Sequence, residues 1–113
     1  MLLPNASDAV IDAVKLRDYV LSSSHPIGRF KARFFAALGF TADAWPVFER
    51  ALREQHLTQN ASPMGVDVHG QAFAIRAILQ GPTGASALVV SVWFVRAGEA
   101  MPRFVTAYPG GAQ

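Results

Sequence analysis

Phe73-Ala74-Ile75-Arg76-Ala77-Ile78-Leu79, the turn Gly81-Pro82-Thr83-Gly84, and the run Ala87-Leu88-Val89-Val90-Ser91-Val92-Trp93-Phe94-Val95 decide the fold. In the first run, Phe73, Ile75, Ala77 and Leu79 share one face, and Ala74, Arg76 and Ile78 share the other. That is the period of two of a strand. The second run is apolar on both faces, as a central strand is. Gly and Pro between them make a short connection, and short connections favour antiparallel neighbours. The period of two extends on both sides. Val66 and Val68 alternate before a turn at His69-Gly70. Arg96-Ala97-Gly98-Glu99 turns again into a last strand, Arg103 to Tyr108, which Pro109-Gly110-Gly111 stops. On that strand, strict alternation puts Arg103, Val105 and Ala107 on one face and Phe104, Thr106 and Tyr108 on the other. Arg103 would join Thr106 only if Pro102 or a bulge re-aims it.

Upstream of Met64 the period is helical. Asp8 to Leu21 reads as a helix with Val10, Val14 and Leu21 on its stripe. Ser22 to Gly28 breaks it. Arg29 to Leu38 is a second helix, with Gly39 as its stop. Thr41 is the expected N-cap of a third, reaching about Leu57, whose stripe is Trp45, Phe48, Leu52 and His56. Thr58 to Pro63 is a polar loop. The expectation is an α+β fold with N-terminal helices packed on a three- to four-stranded antiparallel sheet. It forms a single domain over residues 1–113, with a helical half at about 8–57 and a sheet half at about 64–109.

Composition narrows the function. The 113 residues include no Cys, which excludes disulfides, thiolate catalysis and Cys-based zinc sites. No apolar run approaches the ~18 residues needed to span a bilayer. The first residues, Met1-Leu2-Leu3-Pro4-Asn5, do not resemble a secretory signal. No membrane association is expected, and the cytoplasm of a producing or target cell is the expected compartment. There is no Walker loop, GxGxxG, HExxH or nucleophile elbow, and no cofactor is expected. The three histidines lack metal-ligand spacing, so no metal ligands are assigned.

The net charge of +2 is mild, but its distribution is uneven. Ser24 to Phe35 carries Arg29, Lys31 and Arg33 and no acid. From Arg76 onward there are Arg76, Arg96 and Arg103 against Glu99 alone. These cations either converge into a basic patch or are ordinary solvated charges. His25 sits in a turn just before a helix that begins with basic side chains. It is a candidate proton-transfer group for phosphodiester cleavage, or a loop histidine bonded to backbone. Cleavage of RNA needs a base for the 2′-hydroxyl, an acid for the leaving oxygen, and cations for the phosphorane charge. RNA supplies its own nucleophile, so neither thiol nor metal is required.

On the second helix the apolar face is read as Phe30, Phe34, Ala37 and Leu38. Arg29 and Arg33 lie together beside it, and Lys31 falls on the other side, between Leu38 and Phe35. A Lys among apolar residues needs a partner or a path to water. The candidate catalytic residues are His25, Lys31, Arg103 and Thr106. The candidate substrate-binding residues are Arg29, Arg33, Tyr108 and Lys15. Thr106 and Tyr108 are equally ordinary strand residues, and nothing local decides whether Lys15 joins the cleft. His56 and His69 read as structural or solvated. Trp45, Phe48 and Trp93 read as core.

The segments Leu3-Pro4-Asn5-Ala6, Lys15-Leu16-Arg17-Asp18-Tyr19-Val20-Leu21, His25-Pro26-Ile27-Gly28-Arg29-Phe30-Lys31-Ala32-Arg33-Phe34-Phe35, Trp93-Phe94-Val95 and Pro102-Arg103-Phe104-Val105-Thr106-Ala107-Tyr108-Pro109 resemble a bacterial domain of unknown function. That domain occurs as a stand-alone protein and at the C-terminal end of polymorphic toxins. The layout is also similar to the barnase–EndoU–colicin–RelE group of metal-independent ribonucleases. The resemblance implies RNA as substrate and a cognate antitoxin or immunity protein as partner. A non-catalytic binding module of a toxin system is the competing expectation, and a metal-dependent hydrolase a weaker third.

Overall fold

The computed structural model describes residues 1–26 and 28–111. Ile27, inside the expected Ser22–Gly28 break, and Ala112 and Gln113 lie outside the described residues. Among the described residues the fold is α+β, with a 3₁₀ turn and three helices preceding a four-stranded antiparallel sheet. The strands are β1 (Ser62–Asp67), β2 (Gly70–Gln80), β3 (Ser86–Arg96) and β4 (Arg103–Pro109), in the order β1-β2-β3-β4. The meander and the faces of β2 follow the sequence pattern, whereas the faces of β4 do not. Phe73 pairs with Trp93, Ile75 with Ser91 and Ala77 with Val89.

That face carries the core. Phe73, Ile75, Leu79, Val89, Trp93, Phe104 and Ala107 are buried against Leu16, Val20, Phe35, Phe48 and Leu52 from the helices. Aromatic packing ties the layers together. Phe35 and Phe40 both pack against Phe48, with ring centroids 5.0 and 4.9 Å away, and Trp93 meets Phe104 edge-on at 5.4 Å. Each such buried side chain contributes about 1.5–3 kcal/mol relative to exposure.

The first helix, α1, starts later than its pattern suggests. Ala6–Asp8 is a 3₁₀ turn. The helix begins at Ala13–Lys15 and continues as π-helical Leu16–Val20. Asp12 is its N-cap, the carboxylate accepting from the Val14 N–H at 2.9 Å. Val10 is not on a helical stripe. It forms an isolated parallel bridge with Arg103, taking 2.8 Å and 2.9 Å backbone bonds with Pro102 and Phe104. Val14 is exposed; Leu21 is buried as its place on the stripe implies, together with Leu16 and Val20. A β-branched residue beside an open strand edge satisfies its backbone there at no cost in helical hydrogen bonds.

Helix α2 spans Gly28–Leu38 and ends at Gly39, whose φ of +99° is one that side-chain-bearing residues avoid. The β2–β3 turn docks on this end. Thr83 donates to the Leu38 carbonyl from its hydroxyl at 3.1 Å, and a Cβ on Gly81 would collide with the same carbonyl. Helix α3 begins at Trp45, not after a Thr41 cap, with Pro46 in its first turn. It runs over Trp45–Ala51 and continues as π-helical Leu52–His56. Phe48, Leu52 and His56 face the core as their spacing implies.

Candidate functional site

Helix α2 turns to the core a face only partly that of its expected apolar residues, of which Leu38 is buried and Phe34 packs against the core. Ala32, Phe35 and Leu38 are buried, whereas Phe30 is 68% exposed and Ala37 is exposed. The buried stripe recurs every three residues, and Lys31 lies beside it, one turn before Phe35. From there the Lys31 ammonium reaches two oxygens, one on the end of α1 and one on β4. It donates to the Tyr19 hydroxyl at 2.7 Å and to Thr106 Oγ1 at 3.0 Å. It also lies 4.7 Å from the centroid of the Tyr19 ring. The partner that a half-buried Lys requires is thus a phenol and a threonine from two other elements.

Thr106 reaches Lys31 beside a bulge. Phe104 pairs with Trp93 and Thr106 with the adjacent Val92, so Val105 is an extra residue in β4. Strict alternation is broken there. Phe104 and Ala107 are both buried, and Arg103, Thr106 and Tyr108 align with Phe94, Val92 and Val90. Arg103, which simple alternation separates from Thr106, is brought into register with it by this bulge. Its guanidinium, however, is ion-paired with Glu99 at 3.3 Å across the β3–β4 turn.

Tyr19 projects from the last turn of α1 and meets the His25 ring edge-on, with centroids 4.9 Å apart. His25 also holds α2 in place through its backbone, its carbonyl accepting from the Arg29 N–H at 3.0 Å. The Lys31 hydrogen bond lowers the pKa of the Tyr19 phenol below the ordinary tyrosine value. Burial opposes this, and the Thr106 hydroxyl and the charges of Lys31 and Lys15 add to it. His25, Lys31 and Thr106 are thus assembled around Tyr19, with Lys15 close enough to act on its charge. Tyr19 is the residue that sequence reasoning missed. The available signal was a tyrosine in the final turn before the break that carries His25.

Arg29 and Arg33 lie elsewhere. They line a cleft of about 560 Å³ bounded by α2 and the Ser22–Ser24 segment, on the side of the helix away from Lys31. The Arg29 guanidinium sits 4.7 Å from the centroid of the Phe30 ring. Tyr108 is a half-buried residue of β4 opposite Val90. The expected basic patch is therefore divided between two sides of one helix.

His56 is fully buried and is a structural residue. Its Nε2 contacts the Ala77 carbonyl at 3.2 Å, so that nitrogen carries the hydrogen. Burial pushes its pKa down, which keeps the ring neutral. Nδ1 then accepts from Ser91 Oγ at 2.7 Å, and Ser91 accepts from Trp93 Nε1 at 2.8 Å. Among the described residues no group of three or more His, Asp or Glu side chains is placed to hold a metal ion. Among them, too, no helix is long and apolar enough to cross a membrane.

The fold is a helix-on-antiparallel-sheet domain with a Lys–Tyr–Thr cluster that joins two helices to β4. Residues 2–111 match the family described as a domain of unknown function, DUF6883, and the chain belongs to that family. No curated protein matches the sequence. Among solved structures, the fold is similar to a chain of a contact-dependent growth inhibition toxin–immunity protein complex from Klebsiella pneumoniae 342. The TM-score is 0.59 and the identity 20%, over 95% of this chain and 97% of that one.

Proposed function

We propose that the protein is a metal-independent endoribonuclease toxin that cleaves RNA by attack of the 2′-hydroxyl on the adjacent phosphorus. The observation that carries this reading is the junction of Lys31, Tyr19 and Thr106, with His25 against the Tyr19 ring. The likeness to a chain from a toxin–immunity complex supports the toxin context.

In this reading His25 takes the proton from the 2′-hydroxyl. The 2′-oxygen bonds to phosphorus and the bond to the 5′-oxygen breaks. Tyr19, a phenol made more acidic by Lys31, gives its proton to the departing 5′-oxygen. The products are a 2′,3′-cyclic phosphate and a 5′-hydroxyl. The Lys31 ammonium stabilises the charge that builds on the phosphorane oxygens, and the Thr106 hydroxyl fixes its position. Arg29 and Arg33 hold the strand outside the reacting centre. The partner implied is an immunity protein or antitoxin that covers the site.

Total bacterial RNA incubated in EDTA with native protein and with His25→Ala tests the reading. Cleavage by the native protein alone supports it. RNA left intact by both would refute it.

A second reading is favoured by β1. Every residue of this edge strand is exposed, including Met64 and Val66, and Val68 beyond it is 85% exposed. An open strand edge with apolar side chains suits pairing with a partner chain. In this reading the protein is a non-catalytic binding module of a toxin system. A His25→Ala, Lys31→Ala variant would then bind its partner as the native protein does.

A further inference from the structure

The cleft on the far side of α2 lies apart from the Lys31–Tyr19–Thr106 junction. A single exposed Phe needs no explanation. Phe30 differs because it lines a cleft together with Arg29 and Arg33, with the Arg29 guanidinium 4.7 Å over its ring centroid. The Ser22 and Ser24 hydroxyls line the same cleft, 3.1 Å from one another, and Asp43 is the one acid among the lining residues. We infer that this cleft is a nucleotide subsite. Phe30 is the platform on which one unpaired base stacks, Arg29 and Arg33 take the flanking phosphates, and the serine hydroxyls face the sugar–phosphate backbone.

The physical reasons are additive. An aromatic face binds any base by stacking, and the guanidinium held over one side of the Phe30 ring leaves the other side for a base. Two arginines one helical turn apart present charge along one line, as a phosphate backbone does. A volume of about 560 Å³ accommodates a nucleotide. His25 follows Ser24 directly, so a strand seated here is led towards His25 and Tyr19. The subsite rests on RNA being the ligand, as in the proposed function, but its binding does not depend on cleavage.

The test uses a fluorescein-labelled single-stranded 2′-O-methyl RNA oligonucleotide, which has no free 2′-hydroxyl and is not cut by this chemistry. Anisotropy gives its affinity for the native protein. Phe30→Ala is expected to weaken binding roughly tenfold or more, and Phe30→Trp to retain it. Arg33→Gln should reduce the slope of log affinity against log salt by about 0.7. Equal affinity of Phe30→Ala and native protein, or no binding by the native protein, would overturn the subsite. If native protein cuts unmodified RNA while Phe30→Ala binds the 2′-O-methyl strand unchanged, the subsite fails and the catalytic reading stands. If Phe30→Ala weakens binding but native protein cuts nothing, the subsite stands and the catalytic reading fails.

Discussion

The ammonium of Lys31 donates a 2.7 Å hydrogen bond to the hydroxyl of Tyr19, joining α2 to the last turn of α1. The same ammonium reaches Thr106 on β4. Three elements distant in sequence therefore meet at one cation, and the chemistry proposed for the protein depends on that meeting.

Tyr19 ionises below the ordinary tyrosine range because the Lys31 ammonium favours the phenolate. A titration followed at the phenolate absorbance band should show Tyr19 ionising early. Tyr19→Phe should remove that step and Lys31→Met should move it up. An unchanged titration in Lys31→Met would refute the coupling. The shift is a depressed acid pKa, so its contribution to stability is full above the unfolded value of about 10 and is lost as pH falls through the folded value.

Lys31→Met keeps the stem and removes the charge. It should leave the fold near native stability and lower RNA cleavage about 10²–10³-fold, as loss of a charge-stabilising donor does. Thr106→Val should cost less, roughly tenfold, because it removes only a positioning bond of about 1–1.5 kcal/mol. Equal losses from both would mean that Thr106 does more than hold Lys31.

His56 is neutral in the folded protein and its pKa is pushed down by burial. The unfolded chain therefore binds more protons than the native one between the folded value and about 6.5. Stability should be constant above that point and should fall as pH drops below it. His56→Ala should cost about 3 kcal/mol, since Ser91 and the Ala77 carbonyl lose their partner and a cavity opens. Denaturant unfolding at pH 5 and pH 7.5 checks both, and equal stability of the native protein at the two pH values would contradict the account.

Gly81 lies against the Leu38 carbonyl at the end of α2. Gly81→Ala should destabilise by about 3 kcal/mol, because backbone must move to admit the methyl group. Thermal unfolding measures this, and a change below about 0.5 kcal/mol would show that the turn yields freely.

Much of this molecule was legible in the sequence, and the exceptions have physical causes. The change of period near Met64, the turns at Gly81–Gly84 and Arg96–Glu99, and the stripe from Phe48 to His56 are local patterns that the packed layers reinforce. The start of α1 was not legible, because Val10 is drawn out of the helix by an open strand edge beside Arg103. The face of α2 was misread because Phe30 is exposed and Ala32 buried, a choice made by the sheet and not by hydropathy. The placing of Lys31 between Leu38 and Phe35 did locate it, but its partners depend on a bulge at Val105 and on the end of another helix. Neither leaves a mark in the local sequence.

The central claim is a transesterification served by Lys31, Tyr19 and His25. Its most direct test is the end group left on a short synthetic RNA cut in EDTA. The account predicts a 2′,3′-cyclic phosphate and a 5′-hydroxyl from native protein, and loss of that product with Lys31→Met. A 3′-hydroxyl end, or native-like cleavage by Lys31→Met, would contradict it.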